Sequence, residues 1–308
     1  MRGGRRVVAC WIALTATLGS ARADGVGAQM AEGPLVDAEW LEAHLESDHV
    51  SLLHADMRRS AYDEGHLPGA RFLDMTALVW DGEPAWGTEM RSASEVEAAL
   101  EQAGVRDTDH HVVVYSTNPL FASRAFLTLE AYGMRGRVHV LDGGFGGWQA
   151  DGRAVTNEEP APRSGSVTLT PVPDLLVDAD WILERLDDPS VALVDARPDA
   201  EYTGEDGGMG GMANPGHIPG AHQMYWEELI ESRETPRLLP LDEVRVLFEN
   251  AGAGAGDTVV AYCMVGWRAS YTYLAARLLG YETKFYDGSW HDWGTRDDLP
   301  YVRGSSPR

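Results

Sequence analysis

Four short sequence blocks occur twice along the chain in the same order, and this repeat constrains the fold more than any other feature. One block is the turn Gly-His-Leu-Pro-Gly-Ala, which returns as Gly-His-Ile-Pro-Gly-Ala. The matching segments are 50–58 with 191–197, 65–70 with 216–221, 111–116 with 258–263, and 141–148 with 286–293. Chance rarely produces four ordered matches, so we predict two copies of one domain.

Each copy alternates short β-prone runs with amphipathic segments that have helical spacing, such as 94–103 and 242–251. The segment 178–186 opens the second copy with an acidic residue at the predicted helix start. This alternation predicts an α/β fold in which a mainly parallel sheet is flanked by helices. We place the two domains at 34–156 and 174–303, joined by a linker at 157–173 that is rich in Pro, Ser, Gly and Thr.

The first 23 residues contain the three parts of a secretory signal peptide in order. Three arginines lie within the first six residues, an apolar run follows at 7–18, and Ala21-Arg22-Ala23 forms a small-x-small cleavage site. The apolar run is too short to span a bilayer as a helix. We therefore expect cleavage near Ala23 and a periplasmic or secreted protein. The alternative is a poorly ordered amino terminus, and the export route stays open.

Charge and cysteine content restrict the possible partners. The full chain has 25 basic and 48 acidic residues, and removal of 1–23 leaves 21 basic residues and a net charge of −27. This acidity argues against nucleic acids and anionic membrane surfaces as partners. Cleavage also removes Cys10, so Cys263 is the one cysteine of the mature chain. No intramolecular disulfide and no thiolate cluster for zinc can then form.

Cys263 follows a β-prone run at 259–262 and precedes a short loop with Gly266 and Arg268, after which helical spacing continues to Gly280. Backbone N–H groups of such a loop and the dipole of the following helix both stabilise negative charge on sulfur, as does a nearby arginine. Cys263 is therefore a candidate nucleophile. The alternative is that a lone cysteine serves as a small buried apolar residue.

The pattern Cys-x-x-Gly-x-Arg at 263–268 resembles the active-site loop of the rhodanese (thiosulfate sulfurtransferase) family. Tyr-Asp-Gly-Ser-Trp at 286–290 is similar to the closing motif of that family. The resemblance implies two rhodanese-like domains, with Cys263 as the catalytic nucleophile. It also implies that the loop binds substrate through Met264, Val265, Gly266, Trp267 and Arg268, with Trp267 at the pocket mouth. Cysteine phosphatases require five residues between Cys and Arg, whereas four are present here.

The two copies differ where the chemistry is expected. Ser116 stands at the position of Cys263, and Pro-Leu-Phe at 119–121 replaces Gly-Trp-Arg at 266–268. The first domain is thus predicted to be catalytically inactive and to form one wall of a cleft. Arg124 lies where the inactive domain of the family places an arginine that reaches the substrate anion. Its alternatives are a solvated helix arginine and an interdomain ion pair.

Histidine occurs in both Gly-His-x-Pro-Gly-Ala turns, as His66 and His217. In relatives that use mercaptopyruvate, polar groups lie near the reacting centre at the positions of His66 and Asp56, so His66 is a candidate substrate contact. The alternative for both histidines is a ring satisfied by backbone groups in a tight turn, and for His217 we prefer it. We expect Asp195, Arg197 and Glu201 to form a buried ion network beneath the loop.

The expected activity is transfer of the sulfane sulfur of thiosulfate to cyanide or a thiol, through a persulfide on Cys263. It needs no metal and no organic cofactor, and we expect a monomer. The nearest alternative is a 3-mercaptopyruvate sulfurtransferase, whose loop resembles Cys-Gly-x-Gly and commonly has serine at the third place, whereas Met264 and Val265 are found here. Another alternative is a periplasmic sulfur carrier without turnover. A phosphatase or arsenate reductase is the weakest candidate on loop length.

Overall fold

The structure is a computed structural model that describes Met1 and residues 33–79, 89–208 and 214–308. The remainder of the predicted signal peptide lies outside the described residues, as does part of the glycine-rich segment 207–211. Within the described ranges, no helix is both long enough and apolar enough to cross a membrane.

The first copy folds around a five-stranded parallel sheet in the order β1-β5-β4-β2-β3. Its strands are β1 (Leu35–Val36), β2 (Val50–Asp56), β3 (Arg71–Asp74), β4 (His111–Tyr115) and β5 (Val138–Leu141). Its helices are α1 (Ala38–His44), α2 (Arg59–Asp63), α3 (Ala93–Gln102), α4 (Pro119–Ala131) and α5 (Gly144–Ala150), with a 3-10 turn at Met75–Ala77. Every residue of β4 is buried, as expected for an inner strand of a parallel sheet that is covered on both faces.

The second copy repeats this topology in a second five-stranded parallel sheet, ordered β6-β10-β9-β7-β8. Its strands are β6 (Leu176–Val177), β7 (Val191–Asp195), β8 (His222–Gln223), β9 (Thr258–Tyr262) and β10 (Glu282–Tyr286). Its helices are α6 (Ala179–Leu183), α7 (Asp199–Thr203), α8 (Leu241–Asn250), α9 (Trp267–Leu279) and α10 (Ser289–Trp293), with a 3-10 turn at Trp226–Leu229. The prediction of two α/β domains with parallel sheets flanked by helices is confirmed.

The helices expected from periodicity are present with shifted ends. Those predicted at 94–103 and 242–251 begin and end one residue earlier. The helix predicted at 178–186 begins after Asp178, whose carboxylate accepts the Trp181 N–H at 2.8 Å. This helix ends at Leu183, three residues short of the prediction, and helix ends are the least constrained part of such patterns.

The segment 157–173, predicted as a linker, contains no helix and no extended strand. It packs along the first domain, because Val167 and Leu169 are buried in the main hydrophobic core. The Val172 N–H also donates to the carbonyl oxygen of Ala131 at 2.8 Å. Although the segment is polar in composition, Val167 and Leu169 thus attach it to the hydrophobic core.

The two domains meet through α4 and α9, which occupy equivalent places in the two copies. Ser123 and Ser270 lie in these helices, 147 residues apart, and their hydroxyl oxygens are 2.8 Å from each other. Contact between equivalent residues is the signature of a two-fold arrangement. Nearby, the buried carboxylate of Glu130 in α4 accepts hydrogen bonds from the Tyr273 hydroxyl at 2.7 Å and from Arg277 Nε at 2.9 Å.

Candidate active site

Cys263 lies immediately after β9 and four residues before α9, at the carboxyl end of an inner strand of the second sheet. Parallel α/β sheets bind ligands at this end. The side chain of Cys263 is 1% exposed, and its sulfur accepts the Gly266 N–H at 3.1 Å. Gly266 is also the N-cap of α9. A backbone donor and the positive end of a 13-residue helix thus converge on the sulfur.

Gly266 is required at its position for two reasons. Its φ of +88° lies in the left-handed region that other residues rarely adopt. In addition, a Cβ atom at this position would lie 3.0 Å from Nη1 of Arg124 and 3.3 Å from Oδ1 of Asp287. The close approach of these two charged side chains to the loop therefore depends on the absence of a side chain at Gly266.

The closing motif holds the Cys263 loop from the other side. The Trp290 N–H donates to the Cys263 carbonyl and the His291 N–H donates to the Met264 carbonyl, each at 2.9 Å. The buried Ser289 hydroxyl accepts the Cys263 N–H at 3.3 Å. Ser289 has a φ of +53°, which is uncommon for a residue other than glycine. Strained backbone of this kind persists where surrounding contacts over-determine it, and it is frequent at functional sites.

Arg268 is bound by Glu201 of α7 through two parallel hydrogen bonds, Nη1 to Oε1 at 2.8 Å and Nη2 to Oε2 at 2.7 Å. Desolvation alone would lower the pKa of Arg268. The hydrogen bonds that Arg268 donates to Glu201, together with electrostatic attraction from Cys263 and Glu201, outweigh it, so the pKa of Arg268 is raised above its ordinary value. Arg268 therefore carries charge at the loop, and its bidentate partner holds the guanidinium in place.

Asp195 and Arg197 form the buried pair expected below the loop, with Arg197 Nη2 2.6 Å from Asp195 Oδ2. The expected three-residue network is split, however. Both carboxylate oxygens of Glu201 accept hydrogen bonds from Arg268 and not from Arg197. The physical reason is that Arg268, at the start of α9, presents two parallel donors to Glu201 of α7, and this bidentate pair uses both carboxylate oxygens.

Arg124 reaches from α4 of the first domain to the Cys263 loop of the second. Its side chain is fully buried, and its Nη2 donates to Oδ1 of Asp287 at 2.5 Å. The guanidinium also lies over the ring of Phe285, 5.3 Å from the ring centroid. The second carboxylate oxygen of Asp287 accepts the Met90 N–H at 2.8 Å. The interdomain alternative for Arg124 is thus realised, next to Gly266.

The remaining loop residues anchor the loop to the protein. Met264 is 1% exposed and belongs to a core cluster of the second domain, against which Val265 also packs. Trp267 is partly buried and meets Phe121 of the first domain edge-on, with ring centroids 5.3 Å apart. Trp267 therefore lies at the junction of the two domains, which is consistent with a place at the mouth of the site.

His66 is fully buried in its turn and stacks on Tyr62 at a centroid distance of 3.7 Å. Its Nδ1 lies 3.0 Å from the Tyr62 carbonyl oxygen, and its Nε2 lies 3.2 Å from the Glu158 carbonyl oxygen. His217 repeats the arrangement in the second copy, stacked on Tyr202 at 3.8 Å. Because both ring nitrogens of His66 face backbone carbonyls, the geometry favours the structural alternative over substrate contact.

The equivalent region of the first copy is closed. A cavity of about 10 Å³ remains beside Ser116, Asp142 and Tyr271, which is close to the least that one water molecule needs. Tyr271 stands at the position equivalent to Arg124, and its hydroxyl faces the Pro236 carbonyl oxygen at 3.4 Å. Burial, and to a lesser degree Asp142, raises the pKa of Tyr271 far above its ordinary value. The region around Ser116 is thus faced by a neutral hydroxyl from the second domain, whereas the Cys263 loop is faced by a cation from the first domain.

A family model described as Rhodanese-like domain matches residues 37–151 and, a second time, residues 178–296. The chain belongs to the rhodanese family. Its structure is also similar to that of an anaerobic ergothioneine biosynthesis enzyme from Chlorobium limicola, with a TM-score of 0.75 and 27% sequence identity. That match covers 88% of this chain and 70% of the other chain.

Several rhodanese relatives are similar over most of their length. A thiosulfate sulfurtransferase of Pseudomonas aeruginosa is 32% identical, over 81% of this chain and 90% of the relative. A sulfur carrier protein, TtuD, of Thermus thermophilus is 32% identical, over 88% and 96%. A 3-mercaptopyruvate sulfurtransferase of Escherichia coli is 31% identical, over 86% and 96%. Together they support a sulfurtransferase that uses a sulfur donor and a thiol or cyanide acceptor, while the identity of the donor differs among them.

Three contributors to the site had no role assigned from sequence: Asp287, Ser289 and Met90. A signal for Asp287 was present, because the repeat places Asp142 at the same position of the first copy. Ser289 aligns with Gly144, which has the same φ of +53°, so the repeat also marked a backbone position with special geometry. Among the described residues, no group of three or more His, Cys, Asp or Glu side chains is arranged to hold a metal ion.

Proposed function

We propose that this rhodanese-family protein transfers the sulfane sulfur of thiosulfate to cyanide or a thiol through a persulfide on Cys263. The observation that supports the proposal is the hydrogen bond from the Gly266 N–H to the Cys263 sulfur, together with the buried Arg124 guanidinium, which lies close to the same glycine. A thiolate nucleophile and a cation for the leaving anion are thereby held at one residue of the loop.

In the proposed reaction, the Cys263 thiolate attacks the outer sulfur of thiosulfate. The sulfur–sulfur bond of the donor breaks, and its electron pair leaves with sulfite. Cyanide or a thiolate then attacks the outer sulfur of the Cys263 persulfide, which yields thiocyanate or a new persulfide and returns the Cys263 thiolate. The Gly266 N–H stabilises negative charge on the sulfur, and the fork of Arg124 donors suits the oxygens of the leaving anion.

The names of two relatives suggest alternatives to thiosulfate sulfurtransferase activity. The Escherichia coli relative is named for 3-mercaptopyruvate and the Thermus relative for sulfur carriage. In this chain the two loop positions after Cys263 are Met264 and Val265, whose side chains pack on apolar core residues. Neither supplies a hydroxyl for a proton relay to a leaving enolate, which favours thiosulfate as the donor.

We further propose that the protein is exported, because residues 1–23 have the pattern of a signal peptide.

The decisive experiment is the intact mass of the purified protein after incubation with thiosulfate, and separately with 3-mercaptopyruvate, each followed by cyanide. A gain of one sulfur from thiosulfate that cyanide removes is expected, and Cys263→Ala should abolish it. Ser116→Ala, at the equivalent position of the first copy, is the matched control and should load sulfur like the wild type. Loading by mercaptopyruvate alone would establish the first alternative. Loading that cyanide and thiols cannot remove would contradict turnover.

A further inference from the structure

Two arginines at the catalytic loop are each neutralised by a carboxylate, but in different ways. Glu201 gives both of its oxygens to Arg268, at 2.8 and 2.7 Å. Asp287 divides its oxygens, with one accepting Arg124 Nη2 at 2.5 Å and the other accepting the Met90 N–H at 2.8 Å. Release of Arg268 would therefore leave Glu201 without either of its hydrogen bonds, whereas release of Arg124 would leave Asp287 tethered to Met90.

The charges of these four side chains cancel, and the chain around them has a formal net charge of −23. A small dianion that approaches the Cys263 sulfur thus gains no net positive charge from these four side chains unless one of the ion pairs opens. Arg124 is fully buried, while the Asp287 side chain is 13% exposed. Asp287 can therefore be rehydrated on leaving Arg124, and Arg124 can exchange its carboxylate partner for a bound anion without entering water.

We propose that Arg124 and Asp287 form an exchangeable ion pair: the anionic sulfur donor displaces Asp287 from Arg124, and Asp287 returns when sulfite leaves. Asp287 is in this view a competitor that sets the affinity of the site for anions. The Met90 N–H holds the displaced carboxylate nearby, so that product release is assisted by an internal anion. The identity of the donor rests on the function proposed above, but the exchange itself does not require turnover.

Asp287 both accepts a backbone N–H from the opposite domain and pairs with Arg124, and the first copy of the repeat shows which of these two contacts is shared. Asp142 takes the place of Asp287 and accepts the Leu238 N–H from the opposite domain at 2.9 Å, just as Asp287 accepts the Met90 N–H. The position equivalent to Arg124 is Tyr271, whose hydroxyl is directed to a backbone carbonyl oxygen. The backbone tether is therefore common to both copies, and the pairing with Arg124 belongs to the copy that contains Cys263.

The test is calorimetric binding of sulfite to the full chain, because sulfite probes the anion site without chemistry. Asp287→Asn removes the competing charge, so sulfite should bind roughly tenfold more tightly than to the wild type. Asp142→Asn, the matched control, should bind sulfite like the wild type. The double variant Asp287→Asn with Arg124→Gln should lose the gain. Should Asp287→Asn fold poorly, Asp287→Ala also removes the competing charge and should show the same gain.

Unchanged or weaker sulfite binding by both Asp287 variants would overturn the exchange, as would an equal gain in Asp142→Asn. These results are distinguishable from a failure of the proposed function. A wild-type protein that forms no persulfide from thiosulfate, yet binds sulfite more tightly after Asp287→Asn, would refute the thiosulfate reaction and support the exchange. Normal persulfide formation with no gain in sulfite affinity would support the thiosulfate reaction and refute the exchange.

Discussion

Replacement of Gly266 by alanine tests the geometry of the site most directly, because α9 supplies its own control. Gly266 precedes α9 with a φ of +88°, and Gly280 ends the same helix with a φ of +83°. A Cβ atom at Gly280 would meet nothing within 4 Å, whereas one at Gly266 would meet Arg124 at 3.0 Å and Asp287 at 3.3 Å. The two substitutions thus impose the same backbone strain and differ in the crowding of the two charged side chains.

Left-handed backbone at a residue with a side chain costs about 1–2 kcal/mol, so Gly280→Ala should lose that much stability. Gly266→Ala should lose the same amount plus about 1–3 kcal/mol for overpacking against a buried guanidinium that has little room to move. The overpacking cost alone corresponds to a melting temperature lower than that of Gly280→Ala by several degrees, at about 2–4 °C for each kcal/mol. The Gly266 N–H would also move away from the Cys263 sulfur.

The assays are thermal unfolding and persulfide loading by intact mass. Gly280→Ala should load sulfur from thiosulfate at the wild-type rate. Gly266→Ala should load it at least about tenfold more slowly, because complete loss of one donor to a developing negative charge costs about 10²–10³ in rate and the displaced N–H should lose a part of that effect. If both variants lose the same stability and load sulfur equally well, the close approach of Arg124 and Asp287 to the loop has no energetic consequence, and the site as described is wrong.

Further predictions concern buried polar groups elsewhere. Both ring nitrogens of His54 are buried without a hydrogen-bond partner among the described residues, so His54→Leu, which introduces the residue of the second copy at Leu193, should stabilise the protein by about 1–3 kcal/mol in urea unfolding. Burial lowers the pKa of His54 from 6.5 to about 4. The unfolded chain therefore binds the proton first, and stability should fall as the pH drops from 6.5 towards 4, less steeply in His54→Leu. An equal slope in both proteins would contradict this assignment. Glu130→Ala leaves Tyr273 and Arg277 without their buried acceptor and should cost about 3–5 kcal/mol, whereas Glu130→Gln, which keeps an acceptor, should cost less. A cost within error of zero for both would show that the contact does not hold the domains together.

The sequence alone was sufficient for the architecture and for the local structure around Cys263, whose role as the nucleophile stays a prediction. Ordered repetition of four blocks established two copies, and the alternation of strand and helix patterns established their α/β class. These features are local, since periodicity and turn chemistry act over a few residues. The strand, loop and helix around Cys263 are equally local, with the Gly266 N–H only three residues from the sulfur it meets. The equivalence of Ser116 and Cys263 likewise followed from aligning one copy with the other.

The partners of the charged residues were decided by tertiary structure. Sequence reasoning placed Glu201 with Arg197, and left Arg124 between solvent, substrate and an interdomain ion pair. The pairs that form join residues 67 positions apart, in Glu201 and Arg268, and 163 positions apart, in Arg124 and Asp287. Such pairs depend on how α7 lies under the loop and how α4 packs against α9. No periodic pattern in the sequence indicates which partner a charged side chain will have. Only the packing of the folded chain determines which carboxylate each arginine meets.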